Sequence, residues 1–86
     1  RYSLLVRADN ELARKTSVAW AEASRQPLCL LPQSMQNRRI IDRAFRAANT
    51  KPTPKLETNS VINMCSNVHL MGLANIVPEY FLDVLG

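Results

Sequence analysis

The apolar and polar positions of this chain change period several times, and the changes mark out its elements. Leu28, Cys29, Leu30 and Leu31 form an unbroken apolar run between Pro27 and Pro32. Such a run reads as a strand covered on both faces, which needs helices packed against it. The next stretch supplies one. Met35, Ile40, Ile41, Ala44, Phe45 and Ala48 recur at helical spacing, while Arg38, Arg39, Asp42, Arg43 and Arg46 fill the opposite face. Ser34 is the expected N-cap, and Asn49 ahead of Thr50 and Pro52 the expected stop.

The same reading extends both ways along the chain. Tyr2 to Ala8 is an expected strand, followed by a charged connection from Asp9 to Lys15. Ser17 is placed to cap a short helix through Ala23, with Trp20 as a core or inter-helix anchor and Glu22 too late for a capping box. Pro52 and Pro54 stiffen the loop before a short strand, Lys55 to Thr58. Asn59 or Ser60 then caps a helix carrying the stripe Val61, Met64, Cys65, Val68 and Met71, closed by Gly72. Leu73 to Val77 is a last strand, and Pro78 opens a last helix with Tyr80, Phe81, Val84 and Leu85 on its apolar face. The order β-α-β-α-β-α-β-α predicts an α/β fold: a three-layer open sheet, largely parallel, with helices on both faces.

Length and charge narrow the function classes. Residues 1–86 make one domain or less, and a chain of that size buries only about 60–65% of the surface its unfolded form exposes. Eleven basic and seven acidic side chains give a net charge of +4, but the few aromatic residues are not interleaved with the basic ones as in a nucleic-acid surface. Cys29 and Cys65 lack C-x-x-C spacing and a nearby His pair, so no metal or redox motif is expected and both read as small core residues in a reducing compartment. No apolar run approaches the ~18–20 residues of a membrane span and no signal-peptide pattern opens the chain, so the expected location is cytoplasmic, with no membrane partner. The chain starts within a strand and ends just after a helix, as a piece of a longer polypeptide would.

Ligands of an open α/β sheet bind beyond the carboxyl ends of its strands, where helix N-termini point. Three segments are expected to converge there: Pro32 to Asn37, Thr58 to Ser60 and Val77 to Glu79. The candidate ligand-binding residues are Pro32, Gln33, Ser34, Met35, Gln36, Asn37, Thr58, Asn59 and Ser60. Hydroxyl and amide groups beside free backbone N–H donors suit a carboxylate or another small anion. Arg38 and Arg39 have two readings, a solvated face relieved by Asp42 or service to a bound anion or a partner subunit. Catalysis is not expected. His69, the single histidine, lies beside the apolar stripe of its helix and reads as a partly buried structural residue, and no cofactor motif or paired carboxylates occur.

The element order and several motifs resemble the LysR-type transcriptional regulators. The run YSLLVRADNELA is similar to that family's hydrophobic strand and His-Pro-Leu-Ala turn, with Asn10 and Glu11 in place of His and Pro. SVAWAEASRQPLCLLP resembles Ser-x-x-x-x-Glu-Leu before Pro-Leu-x-Leu-Leu. NRRIIDRAFRAAN, LETNS and GLANIVP follow in the family's order, the last where the family has Gly-Leu-Gly-x-x-x-x-Pro.

The resemblance covers nearly the whole chain and implies the second lobe of the effector-binding domain. It implies a bilobal fold like the type 2 periplasmic binding proteins, a small-molecule effector between the lobes, and a homo-oligomer. Promoter DNA would be met only through a helix-turn-helix absent from this sequence. The resemblance also implies an oligomer interface at the helix Asn37 to Ala48 and the strand Lys55 to Thr58, with Arg39, Arg43, Arg46, Lys55 and Glu57 as its residues. Gln33 to Gln36, in place of a glycine-containing loop, leave the effector's identity open. The alternatives are a lobe of a solute-binding transport protein and an oligomerisation module without a ligand.

Overall fold

The strand at the centre of the chain is short and wholly buried, Leu28–Leu30, labelled β2, and the rest is built on either side of it. A computed structural model describes residues 1–85, with side chains as far as Asp83; Val84 and Leu85, expected on an apolar face, lie outside the described side chains. The first strand, β1, is Tyr2–Leu5, and the helix α1 between β1 and β2 is Trp20–Ser24. After β2 come α2, Gln36–Ala47, the edge strand β3, Leu56–Glu57, and α3, Val61–Met71. The strand β4, Ala74–Pro78, and a 3-10 turn, Glu79–Leu85, follow. The sheet order is β1-β4-β2-β3. β2 runs parallel to β3 and β4, and β1 runs antiparallel to β4, so the sheet is largely parallel as expected.

Alternation along the central strands separates two apolar layers. Leu28 and Leu30 of β2 with Ala74 and Ile76 of β4 meet Ile41 and Phe45 of α2 and Ala23 of α1. Leu31 and Val77 meet Met64 of α3 on the opposite face, with Met35, Phe81 and Leu82 alongside. Helices therefore cover both faces. Trp20 is the inter-helix anchor, its ring centroid 5.0 Å from that of Phe45 and edge-on to it.

Helix ends follow local chemistry, with shifts from the expected residues. α1 starts at Ala19 and not Ser17, which brings Glu22 to the third helical position; its carboxylate accepts the Ala19 N–H at 3.2 Å. The Lys15 hydrogen bond holds that carboxyl below its ordinary range. α2 has Met35 and not Ser34 at its N-cap, so no side chain caps its first turn. Asn49 does stop it. Its φ of 58° lets its own N–H reach Arg46 O at 2.9 Å and the Thr50 N–H reach Phe45 O at 3.0 Å. Ser60 caps α3 by accepting the Asn63 N–H, and Gly72 closes it at φ 68°.

Four expectations about faces are corrected. Ile40 is exposed because it sits about 100° around the helix from Ile41, beyond the buried stripe. Cys65, Met71 and His69 of α3 are exposed, because the buried line of that helix runs through Met64 and Asn67. Pro78 ends β4 and does not open a helix, and Tyr80 beyond it is exposed. Arg38, expected in solvent or serving an anion or a partner subunit, is buried, with its Nε and Nη1 both engaged. Its Nε donates to Asp42 at 2.9 Å, while Nη1 donates to the Leu31 carbonyl at 2.8 Å and pairs with Glu57. Burial pulls the Arg38 pKa down, but its bonds to Glu57 and then Asp42 outweigh that and leave it raised.

Candidate functional site

Parallel strands bring their carboxyl ends to one edge of the sheet, and β2 delivers the chain there at Leu31. Pro32 to Met35 form the turn into α2, closed by the Met35 N–H on Pro32 O at 3.0 Å. Because Met35 has no capping oxygen, the amides of Gln36, Asn37 and Arg38 have no side-chain partner at that helix start. Those donors, at the positive end of the helix dipole, attract negative charge.

The other two expected segments converge on the same edge. Thr58 lies beside the end of β2, its N–H on Leu30 O at 3.0 Å. Its hydroxyl oxygen accepts the Ser60 N–H at 3.1 Å, and Ser60 Oγ accepts the Asn63 N–H at 3.2 Å. Both oxygens therefore serve the α3 cap, while each hydroxyl keeps a proton to donate. Met35 is packed in the apolar layer with Met64 of α3, which ties the two loops together below the edge. Asn59, Gln33, Ser34 and Gln36 are exposed at this edge.

Tyr2 and Tyr80 join this cluster, and the sequence reading did not include them. The Tyr2 hydroxyl donates to Asn37 Oδ1 at 2.9 Å, and Asn37 Nδ2 donates to the Tyr80 hydroxyl at 2.8 Å. Burial first, and then the neighbouring Tyr80, push the Tyr2 phenol above its ordinary 10.0. The cluster exists because β1 is antiparallel to β4: that direction pairs Tyr2 with Pro78, putting the start of the chain at the carboxyl edge. A run of apolar residues says nothing about strand direction. The one usable signal was Val77 to Glu79, which already pointed to that edge.

The LysR substrate binding domain family matches residues 1–85. The chain belongs to that family. LysR substrate-binding domains are parts of transcription regulators, and the α/β fold here is the periplasmic-binding-protein-like fold of the family. No curated protein and no solved structure matches the chain.

A LysR substrate-binding domain implies small-molecule binding. No group of three or more His, Cys, Asp or Glu side chains is gathered for a metal ion among the described residues. No described helix is long and apolar enough to cross a membrane. A groove of about 740 Å³ runs along β1 and the segment after it, lined by Leu4, Val6, Leu12 and Val18, and it shares Tyr2 with the Asn37 cluster. Asn10 shapes that segment, accepting the Leu12 N–H at 2.8 Å and donating to Gln26 at 2.9 Å.

Proposed function

We propose that this chain is one lobe of the effector-sensing part of a LysR-type regulator and that it binds a small carboxylate-bearing molecule. The binding residues are Pro32 to Asn37 and Thr58 to Ser60, with Tyr2 and Tyr80 completing the wall. The carrying observation is the uncapped first turn of α2 beside Asn37, whose amide is held between two phenols. Asn37 keeps one amide proton for a ligand, and the Tyr80 hydroxyl keeps its own. Arg38 is neutralised by Asp42 and Glu57, so the anion is held by N–H and O–H dipoles and not by that guanidinium. Such a site favours a singly charged carboxylate. Family membership favours the regulator over a transport lobe.

A subunit contact is proposed for the outer face of α2 with β3. Arg39, Arg43 and Arg46 are exposed along α2, and Lys55 and Leu56 are exposed at the unpaired edge of the sheet. Arg38 braces that edge by binding Glu57. Titration of the regulator with a panel of small carboxylates by calorimetry tests the site. Ser34→Ala and Asn37→Ala should each weaken the best carboxylate several-fold, and unchanged affinity in both rejects the assignment.

A further inference from the structure

The outer face of α3 carries two metal-ligating side chains inside an apolar frame. A helix turns about 100° per residue, so Ile62, Cys65, Ser66, His69 and Leu70 share one side of it. All five are exposed, Ile62 at 78% and Leu70 at 75%. Cys65 is a free thiol. Residues four apart on a helix stand about 5–6 Å apart at Cβ, the spacing at which helical ligand pairs grip one metal ion.

Among the described residues no third His, Cys, Asp or Glu joins these two, and Zn²⁺ takes four ligands in a tetrahedron. The order of residues supplies the rest. Ile62 and Leu70 lie outside Cys65 and His69, so the face reads almost the same in either direction about Ser66 and Asn67. An antiparallel second copy centred on Asn67 would set Cys65 beside the partner's His69 and leave Ile62 only about 3 Å along the axis from the level of the partner's Leu70. We propose that two copies of α3 meet in this way around one Zn²⁺-class ion, held by two Cys65 thiolates and two His69 imidazoles. Each thiol gives its proton to solvent on binding, and two thiolates balance the charge of the ion. The apolar contact cannot hold the pair alone. Eleven residues make a face only about 16 Å long, well short of the roughly 800 Å² per partner of a stable interface. Association should therefore depend on metal.

The test uses the purified protein, freed of metal by chelation and kept in a non-thiol reductant. Zn²⁺ is titrated with light scattering, and Co²⁺ with absorption spectroscopy. The expected result is saturation at one ion per two chains, a higher mass than in chelator, and a thiolate-to-cobalt charge-transfer band. Cys65→Ser and His69→Gln should abolish the mass increase and the saturation at one ion per two chains while leaving the far-ultraviolet dichroism unchanged; the charge-transfer band should vanish with Cys65→Ser. Saturation at one ion per chain, a mass indifferent to Zn²⁺, or a mass response that survives either substitution overturns the proposal.

Discussion

Arg38 gives the sharpest test of how this fold is held together. Replacing it with alanine removes three hydrogen bonds and most of a buried stem. Breaking a fully buried ion pair costs about 3–5 kcal/mol, because the abandoned charge stays in a dry site. Here the abandoned charges have water: the side chains of Asp42 and Glu57 are 37% and 40% exposed. The larger loss is elsewhere. The buried Leu31 carbonyl loses the guanidinium, at about 1–3 kcal/mol, and two methylenes of stem leave the interior, at about 0.8 kcal/mol each. Freed side-chain entropy and the relieved desolvation of the guanidinium offset part of this, up to about 2 kcal/mol for the entropy. A net loss of about 2–3 kcal/mol is expected. At about 4–8 °C per kcal/mol for a domain of this size, the melting temperature should fall by roughly 10–20 °C. Arg38→Met restores the stem and should recover about half of the loss, and Glu57→Gln alone should cost less than about 1 kcal/mol because the Glu57 side chain is itself half in water and a glutamine oxygen can still accept from Arg38. The measurement is urea and thermal unfolding of the purified protein followed by circular dichroism. A loss below about 0.5 kcal/mol for Arg38→Ala would make this an ordinary surface pair and refute the reasoning.

Two further outcomes follow from the buried polar groups between the sheet and α3. Asn75 Nδ2 donates to Asn67 Oδ1 at 2.7 Å, and Asn67 Nδ2 donates to Cys29 Sγ at 3.3 Å. Asn67→Leu alone strands the Asn75 amide and should destabilise by about 1–3 kcal/mol, while adding Asn75→Val should recover part of it; a double variant that loses the sum of the two single losses in urea unfolding refutes the pairing. Burial raises the Cys29 thiol above its ordinary 9.0 against the pull of Asn67, as burial raises Tyr2. Both groups lose their protons first in the unfolded chain, so their contribution is whole below about pH 9 and declines as pH rises through the folded values. The urea midpoint should fall in that alkaline range, and less so in Cys29→Ala and Tyr2→Phe; equal slopes in all three proteins would exclude these two groups as the cause.

What the sequence made legible was whatever depends on short-range chemistry. The run Leu28 to Leu31 named the central strand, the helical spacing of Ile41 and Phe45 named the main helix, and Asn49, Ser60 and Gly72 marked helix ends through local hydrogen bonds and positive φ. Three polar residues that pattern alone misplaced or passed over share another origin. Arg38, Asn67 and Tyr2 are polar or amphipathic residues whose places depend on a partner far away in sequence: Glu57, Cys29 and Asn37. Binary patterning places polar residues outside because an unpartnered polar group inside is costly, and it cannot see a partner that removes the cost. At the candidate site this matters most. The loops were found because helix starts are local, whereas the two phenols that hold Asn37 required knowing that β1 runs against β4. Asn37 joins both parts. It begins a helix that the sequence shows, and it is fixed by tyrosines that only the fold brings together, so its orientation at the carboxyl edge is set by β1 and by the turn after β4 as much as by its own helix.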